Sequence, residues 1–343
     1  MSGYPPPPKI VTQPRTESGP FWSVMIPVYN RTTYLERTLK SVLCQDPGAA
    51  EMQIEVVDDA STEGDSETLV RRVCGDRVSF VRQPRNVGGV ANWNSCIERS
   101  AGKWVHILHS DDVVFPGFYA RLRAALEGKV DVGAAFCRHM GIDEHDRWTW
   151  TEVLERPTAG ILTDFVEKIG ISQRIQCPSI VVRRSVYETL RGFRPELSYA
   201  ADWEMWIRIA AHYPIWYEPA ILAAFRGHSA SWTAACVRSG ETIVALRRCI
   251  AMVRPYLPPA KAEMISRKAR ELASLGALEF AYGAIGHFEF ATAFKQLWEG
   301  LKCSCSPRVI KAVAFLPVRM AMGGVRRVYT KSRKRFVRQE AKF

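Results

Sequence analysis

The chain has 343 residues, of which 47% are apolar and 24% charged, with a formal net charge of +12. That is enough to bury a sizeable core, as one large domain or two smaller ones, and it excludes a disordered or fibrous chain. Nine cysteines, odd in number, scattered and never spaced C-x-x-C, exclude a disulfide framework and give no basis for a structural zinc; they read as reduced core residues in a cytosol.

The charge is unevenly placed. From Leu301 onward the basic residues are Lys302, Arg308, Lys311, Arg319, Arg326, Arg327, Lys331, Arg333, Lys334, Arg335, Arg338 and Lys342, against Glu340 alone, so the rest of the chain is close to neutral. Nucleic acid is therefore not an expected partner, because such a reading rests on the tail alone. The opening M-S-G-Y-P-P-P-P lacks the apolar core of a signal peptide, and no apolar run approaches the roughly 18 residues of a spanning helix.

Residues 1–20, rich in Pro, Ser, Thr and Gly, read as a disordered leader. From Phe21 the run S-V-M-I-P-V-Y-N predicts a buried strand. T-Y-L-E at Thr33 to Glu36 then predicts a capping box for a helix with Leu35, Leu39, Val42 and Leu43 on one face. A second strand, Ile54 to Asp58, is followed by Asp59 and the turn Ala60 to Gly64. A third, Val78 to Arg82, leads through R-N-V-G-G into a helix from Val90 to Arg99. The next strand, K-W-V-H-I-L-H-S-D-D, ends in Ser110, Asp111 and Asp112. This alternation predicts an α/β fold: a doubly wound, mostly parallel sheet with helices on both faces.

Three strands thus end in polar residues at one sheet edge: Tyr29 and Asn30, Asp58 and Asp59, Asp111 and Asp112. A carboxylate pair at the tip of a buried strand is costly unless a proton or cation shares it, and Mg²⁺ or Mn²⁺ is commonly held by one or two carboxylates plus substrate phosphates. An aromatic ring, a lone carboxylate and a metal-binding pair together suit a nucleoside diphosphate. Arg85 serves a phosphate or base edge, or is a surface charge; a Ser-Asp-Asp turn capping the next helix is the structural alternative for the pair.

Beyond Pro116 a helix runs to Leu126 and a strand covers Val132 to Cys137. G-I-D-E-H-D-R-W-T-W then predicts an exposed hairpin carrying Trp148 and Trp150, with His139 and His145 at the surface. C-P-S-I-V-V-R-R from Cys177 predicts a further strand. Asp202 stands at the N-terminus of a helix running to His212, with Trp206, Ile209 and Ala210 inward; an N-cap is its structural role there. A strand Ile221 to Phe225 leads into F-R-G-H-S-A-S-W. From Gly240 the pattern is helical, with a helix pair over Glu271 to Leu301 turning at Gly286-His287. Pro307 to Met322 interleaves apolar and basic residues as an amphipathic helix on an anionic membrane surface would; a solvated tail or one docked on another subunit is the alternative.

The order P-V-Y-N, V-V-D-D-A-S, R-N-V-G-G, L-H-S-D-D, A-D-W-E-M-W-I-R resembles family 2 glycosyltransferases of the GT-A fold, over roughly Ser23 to Trp232. By that resemblance Pro27 and Tyr29 flank the nucleobase, Asp59 reads it, and Arg85 lies near the nucleotide. Asp111 contacts ribose or metal, Asp112 ligates Mg²⁺ or Mn²⁺, and Arg226 and His228, matching the family's Arg-x-His segment, approach the diphosphate and the metal. Asp202 matches the catalytic base of inverting members, and Arg191-Gly192-Phe193 resembles the family's G-G-F turn. His109 stands where the family often has a further Asp, which removes one negative charge near the ion. The resemblance implies a metal-dependent transferase using a UDP-, dTDP- or GDP-linked sugar and a glycan or lipid-linked acceptor, in a cytoplasmic setting at the inner face of a membrane. Without a spanning helix or a Q-x-x-R-W motif, it is expected to be non-processive. The expected layout is a leader (1–20), a transferase domain (21–235), a helical extension (236–306) and a basic amphipathic tail (307–343). The alternatives are a nucleotidyltransferase-like enzyme and a catalytically silent membrane-binding scaffold.

Overall fold

A computed structural model of the protein describes residues 4–11 and 19–317. Strands β1 (Trp22–Val28), β2 (Met52–Asp58), β3 (Ser79–Arg82), β4 (Trp104–Ile107), β5 (Val113–Val114), β6 (Ala134–Ile142), β7 (Trp148–Thr151), β8 (Gly160–Ile161), β9 (Ile180–Arg183) and β10 (Ile215–Arg226) form one sheet. Its spatial order is β3-β2-β1-β4-β9-β6-β10-β5, with β7 beside β6 and β8 beside β10. β3, β2, β1 and β4 run parallel, as do β6 and β10, while β9 lies antiparallel between β4 and β6. The α/β fold with a mostly parallel sheet is therefore observed.

The helices are α1 (Leu35–Leu43), α2 (Ser66–Cys74), α3 (Gly89–Arg99), α4 (Phe118–Leu126), α5 (Phe165–Ile171), α6 (Arg184–Leu190), α7 (Ala201–His212), α8 (Trp232–Ser239), α9 (Glu241–Val253), α10 (Ala262–Gly286), α11 (Phe290–Cys303) and α12 (Pro307–Ala314). They cover both faces. Side chains of a strand alternate between faces, and β1 shows it: Val24, Ile26 and Val28 join the core under α1, α2 and α4, whereas Met25 joins the core under α3, α5, α6 and α7. Burial on both sides explains why these strands read as unbroken apolar runs. The second core also takes in Ala245, Cys249 and Ile250 of α9 and Ile265 and Ala269 of α10, so the helical region shares its packing with the sheet.

Two close approaches position the site. Pro27 sits in an inner strand, where a missing N–H normally costs a ladder bond. Met25 O accepts from Leu108 N on the β4 side, and Pro27, two residues on, faces the same side beyond the last β4 pair, so nothing is lost. Gly102, just ahead of β4, would place a Cβ 2.5 Å from Ser23 N. Since that neighbour is backbone, Gly102→Ala is expected to destabilise the fold by about 1–3 kcal/mol, seen as a lowered Tm in thermal unfolding.

Several expectations need correction. Residues 4–11 of the leader are docked: Gly192 N donates to Pro8 O (2.9 Å), Arg191 and Arg194 donate to Pro7 O and Pro5 O, and Ile10 is buried. Prolines have no N–H but keep free carbonyls, so a Pro-rich segment is a ready acceptor strip for such donors. The capping box is absent: α1 starts at Leu35, and Tyr34 caps it without a side-chain bond. His139 is fully buried in β6, its ring 5.5 Å from that of Trp150. Only Trp148 of the two hairpin tryptophans is exposed. The tail after residue 317 lies outside the described residues. Among the described residues no helix is long and apolar enough to cross a membrane.

Candidate active site

The parallel strands deliver their C-terminal ends to one edge, where open α/β sheets bind ligands. Asp58, at the end of β2, is spent on architecture: it accepts from Ser61 N (2.6 Å) and from Ser66 Oγ, fixing the turn before α2. Asn30 accepts from Thr62 N (2.7 Å) and Glu63 N, tying the β1 end to the same turn. Asp59 is buried, its two oxygens accepting from Val87 N (2.7 Å) and Gly88 N (3.0 Å), so it holds the R-N-V-G-G loop on which exposed Arg85 stands. Burial outweighs those two bonds and raises its pKa above the ordinary carboxylate range. Tyr29 is exposed and Pro27 buried on β1.

At the end of β4 the chain makes a tight turn that Thr38 of α1 holds, its Oγ1 donating to Ser110 O (3.0 Å) and Asp112 O (2.8 Å). His109, Asp111 and Asp112 offer donor atoms within 4.8 Å of one another. Asp112 is completely buried. One oxygen accepts from Arg226 N (2.8 Å), and Oδ2 has no hydrogen-bond partner among the described residues. Burial, then the charge of Asp111, pushes the Asp112 carboxyl well above its usual range. Burial also acts to raise Asp111, yet its bond to His228 Nε2 (3.0 Å) and the charges of His109, His228 and Arg31 hold it below. A buried carboxylate oxygen with no donor, beside a second carboxylate and an imidazole, is a donor set that fits a divalent cation. His109 is thus a candidate ligand as well as a lost charge. Its ring stacks on Trp93 at 4.9 Å, which fixes its orientation.

The end of β10 closes the site from the other side. Arg226 is buried, donates from Nε to Asp111 O (2.8 Å) and from Nη1 to Asp143 O (2.9 Å), pairs with Asp146 at 2.7 Å, and lies 4.6 Å over the Tyr34 ring. Its guanidinium therefore joins the Asp-Asp turn to the hairpin, with Nη2 alone lacking a bond among the described residues. His228 sits between Asp111 and Arg31, whose Nη1 is 3.4 Å from it and whose Nη2 donates to Ala230 O.

Asp202 is the second residue of α7, not its cap, which is Ala200. One oxygen accepts from Trp203 N (2.7 Å), the other from Gln173 Nε2 (2.8 Å). Burial overrides both and pushes its pKa up to about 7. The buried Cys177 thiol is driven well above its ordinary range by burial and then by the charges of Asp202 and Asp112 together.

Residues 23–191 match the description Glycosyl transferase family 2. The chain matches this family over 169 of its 343 residues. It is 26% identical over 255 residues to protein MT1568 of Mycobacterium tuberculosis, covering 70% of this chain and 78% of that one. It is 29% identical over 181 residues to TuaG of Bacillus subtilis, named for teichuronic acid biosynthesis, covering 49% and 69%. Among solved structures, TarS 1-349 of S. aureus in complex with UDP-GlcNAc superposes with a TM-score of 0.62 at 16% identity, over 88% of this chain and 92% of that one. At that identity the likeness shows the fold, and it agrees with the GT-A architecture described above.

Set against this fold, sequence reasoning named the acids, Arg226 and His228 but missed Arg31, Trp93, Trp232 and Gln173. Trp232, half exposed, packs edge-on against Trp93 at 5.8 Å and lies 3.6 Å from where a Cβ on Gly89 would stand. Arg31 directly follows the quoted P-V-Y-N, and Trp232 ends the quoted F-R-G-H-S-A-S-W, so both were adjacent to visible motifs.

Proposed function

We propose that this protein transfers a sugar from a nucleoside diphosphate sugar to an acceptor hydroxyl with inversion, without processive elongation, in the synthesis of a cell-surface glycan or glycolipid. The observation that carries the reading is the buried Asp112, whose Oδ2 has no hydrogen-bond partner among the described residues and lies with Asp111 and His109 in one cluster of possible metal ligands. His109, Asp111 and Asp112 would hold Mg²⁺ or Mn²⁺, which when bound offsets the negative charge gathering on the departing diphosphate. His228 and Arg31 add positive charge next to Asp111. Pro27 and Tyr29 flank the base, while Asp59, through the loop it anchors, sets the position of Arg85 at the nucleotide. Arg226 keeps the Asp111–Asp112 turn in place and brings charge near the diphosphate. Asp202, whose carboxyl burial pushes up to about 7, accepts in its ionised form the proton of the acceptor hydroxyl as the hydroxyl oxygen bonds to the anomeric carbon and the bond to the diphosphate breaks.

The family 2 match and the TuaG likeness support a glycan product. A nucleotide-sugar donor is supported by the TarS complex with UDP-GlcNAc and by the mannosyltransferase PcManGT of Pyrobaculum calidifontis, seen with GDP-Man and Mn2+, which matches at 19% identity and a TM-score of 0.57 over 95% of this chain and 87% of that one. A panel of UDP-, dTDP- and GDP-linked sugars with Mn²⁺, scored by released nucleoside diphosphate, is expected to single out one donor. Uniform lack of release and of binding across the panel would make the body a silent scaffold.

A further inference from the structure

Helix α11 has two unlike faces. Ala293, Gln296, Gly300 and Cys303 are buried inward, with Gly300 3.2 Å, measured from the Cβ it lacks, from Ala277 of α10. Outward, Phe290 (62% exposed), Phe294 (67%) and Trp298 (53%) recur every fourth residue and so form one line along the helix, extended past its start by Phe288 (81%). Phe294 and Trp298 stack at 6.3 Å, Phe288 and Phe290 meet edge-on at 6.4 Å, and Lys302 Nζ lies 5.2 Å over the Trp298 ring. At roughly 150–250 Å² per aromatic side chain, four rings exposed to this degree make a patch of several hundred Å², the size at which a monomer's largest apolar patch is often functional.

We propose that this aromatic stripe is a docking face for an anionic lipid bilayer, with α11 lying flat in the interface. Charge selects the occupant. Lys295 and Lys302 flank the stripe and Lys311 follows it in sequence, Arg308 being paired with Glu271; exposed Glu289 stands at its start, while Glu299 is engaged by Arg247 and Lys302. The sequence beyond residue 317 holds Arg and Lys almost without acids, a composition that does not complement a basic rim. A second copy would set lysines against lysines. A negatively charged surface accepts both the rings, which favour the boundary between headgroup and acyl chain, and the cations, which stay among the headgroups. No helix among the described residues can span a bilayer, so attachment is by surface insertion. The inference goes beyond the transferase reading and does not depend on it.

The test uses the full chain with vesicles of phosphatidylcholine alone or with phosphatidylglycerol, floated in low and high salt. Wild type is expected to float with the anionic vesicles and to keep part of that binding in high salt, where attraction of the basic tail is screened. Phe290→Ser/Phe294→Ser/Trp298→Ser is expected to lose the salt-resistant part and at least tenfold in partitioning, with unchanged circular dichroism. Brominated acyl chains should quench wild-type tryptophan emission, and Trp298→Phe, which keeps an apolar stripe and still floats, should lose that quenching. Equal flotation of the triple variant, no flotation of wild type on either vesicle, or a wild-type dimer in sedimentation that the triple variant dissolves would each overturn the proposal.

Discussion

Asp202→Asn is expected to bind the nucleotide-sugar as wild type does and to lose about 10²- to 10⁴-fold in kcat, because a general base acts only on a bound acceptor. The structure makes the companion result specific. Only the ionised carboxylate accepts a proton, and burial pushes Asp202 up to about 7, so wild-type kcat should rise with pH through that value and level off above it. Gln173 donates to the carboxylate and lowers its pKa. Gln173→Leu should therefore move the rising limb to higher pH while preserving the plateau. Steady-state kinetics with a defined acceptor between pH 5 and 9 gives both readings. A pH-independent kcat, or full turnover by Asp202→Asn, would reduce Asp202 to a fixture of the α7 start.

The second large effect is expected at Asp112. Asp112→Asn should abolish the metal-dependent part of nucleotide affinity, measured by calorimetry with UDP in the presence and absence of Mn²⁺. The fold should survive. Asn keeps the acceptor for Arg226 N, and it removes a carboxyl whose ionisation is opposed by burial and by Asp111. A group whose folded pKa lies above its unfolded value weakens folding as pH rises through that window. In metal-free buffer at neutral pH the variant should thus melt at the same temperature as wild type or above it. Unchanged metal-dependent affinity would remove Asp112 from the metal site.

The acids were legible because strand ends are: an apolar run that stops at Ser110, Asp111 and Asp112 announces a sheet edge before any coordinates exist. The sheet itself was legible for the related reason that strands buried on two faces leave no polar alternation to misread. Gln173 was not, since it reaches Asp202 across 29 residues from a loop with no motif of its own. Arg31 was passed over because its partners, His228 and Ala230, lie almost 200 residues away. His139 carried a polar label into a strand whose interior only the packing of Trp150 reveals. The leader misled through composition, which counts the apolar area a segment can bury by itself and not the donors, Arg191 and Arg194, that a distant turn supplies.

Arg226 touches the Asp-Asp turn through its backbone and side chain and grips Asp146 of the hairpin, which Arg37 of α1 also holds. Asp146 is half exposed and would look, in any survey of surface positions, like a place where drift is free. It is instead the outer fastening of a brace whose inner end sets the two acids. Substitutions there should be read out at the nucleotide, and homologous chains that change Asp146 should change what stands opposite Arg226 with it, so that the hairpin and the turn diverge together as one heritable unit.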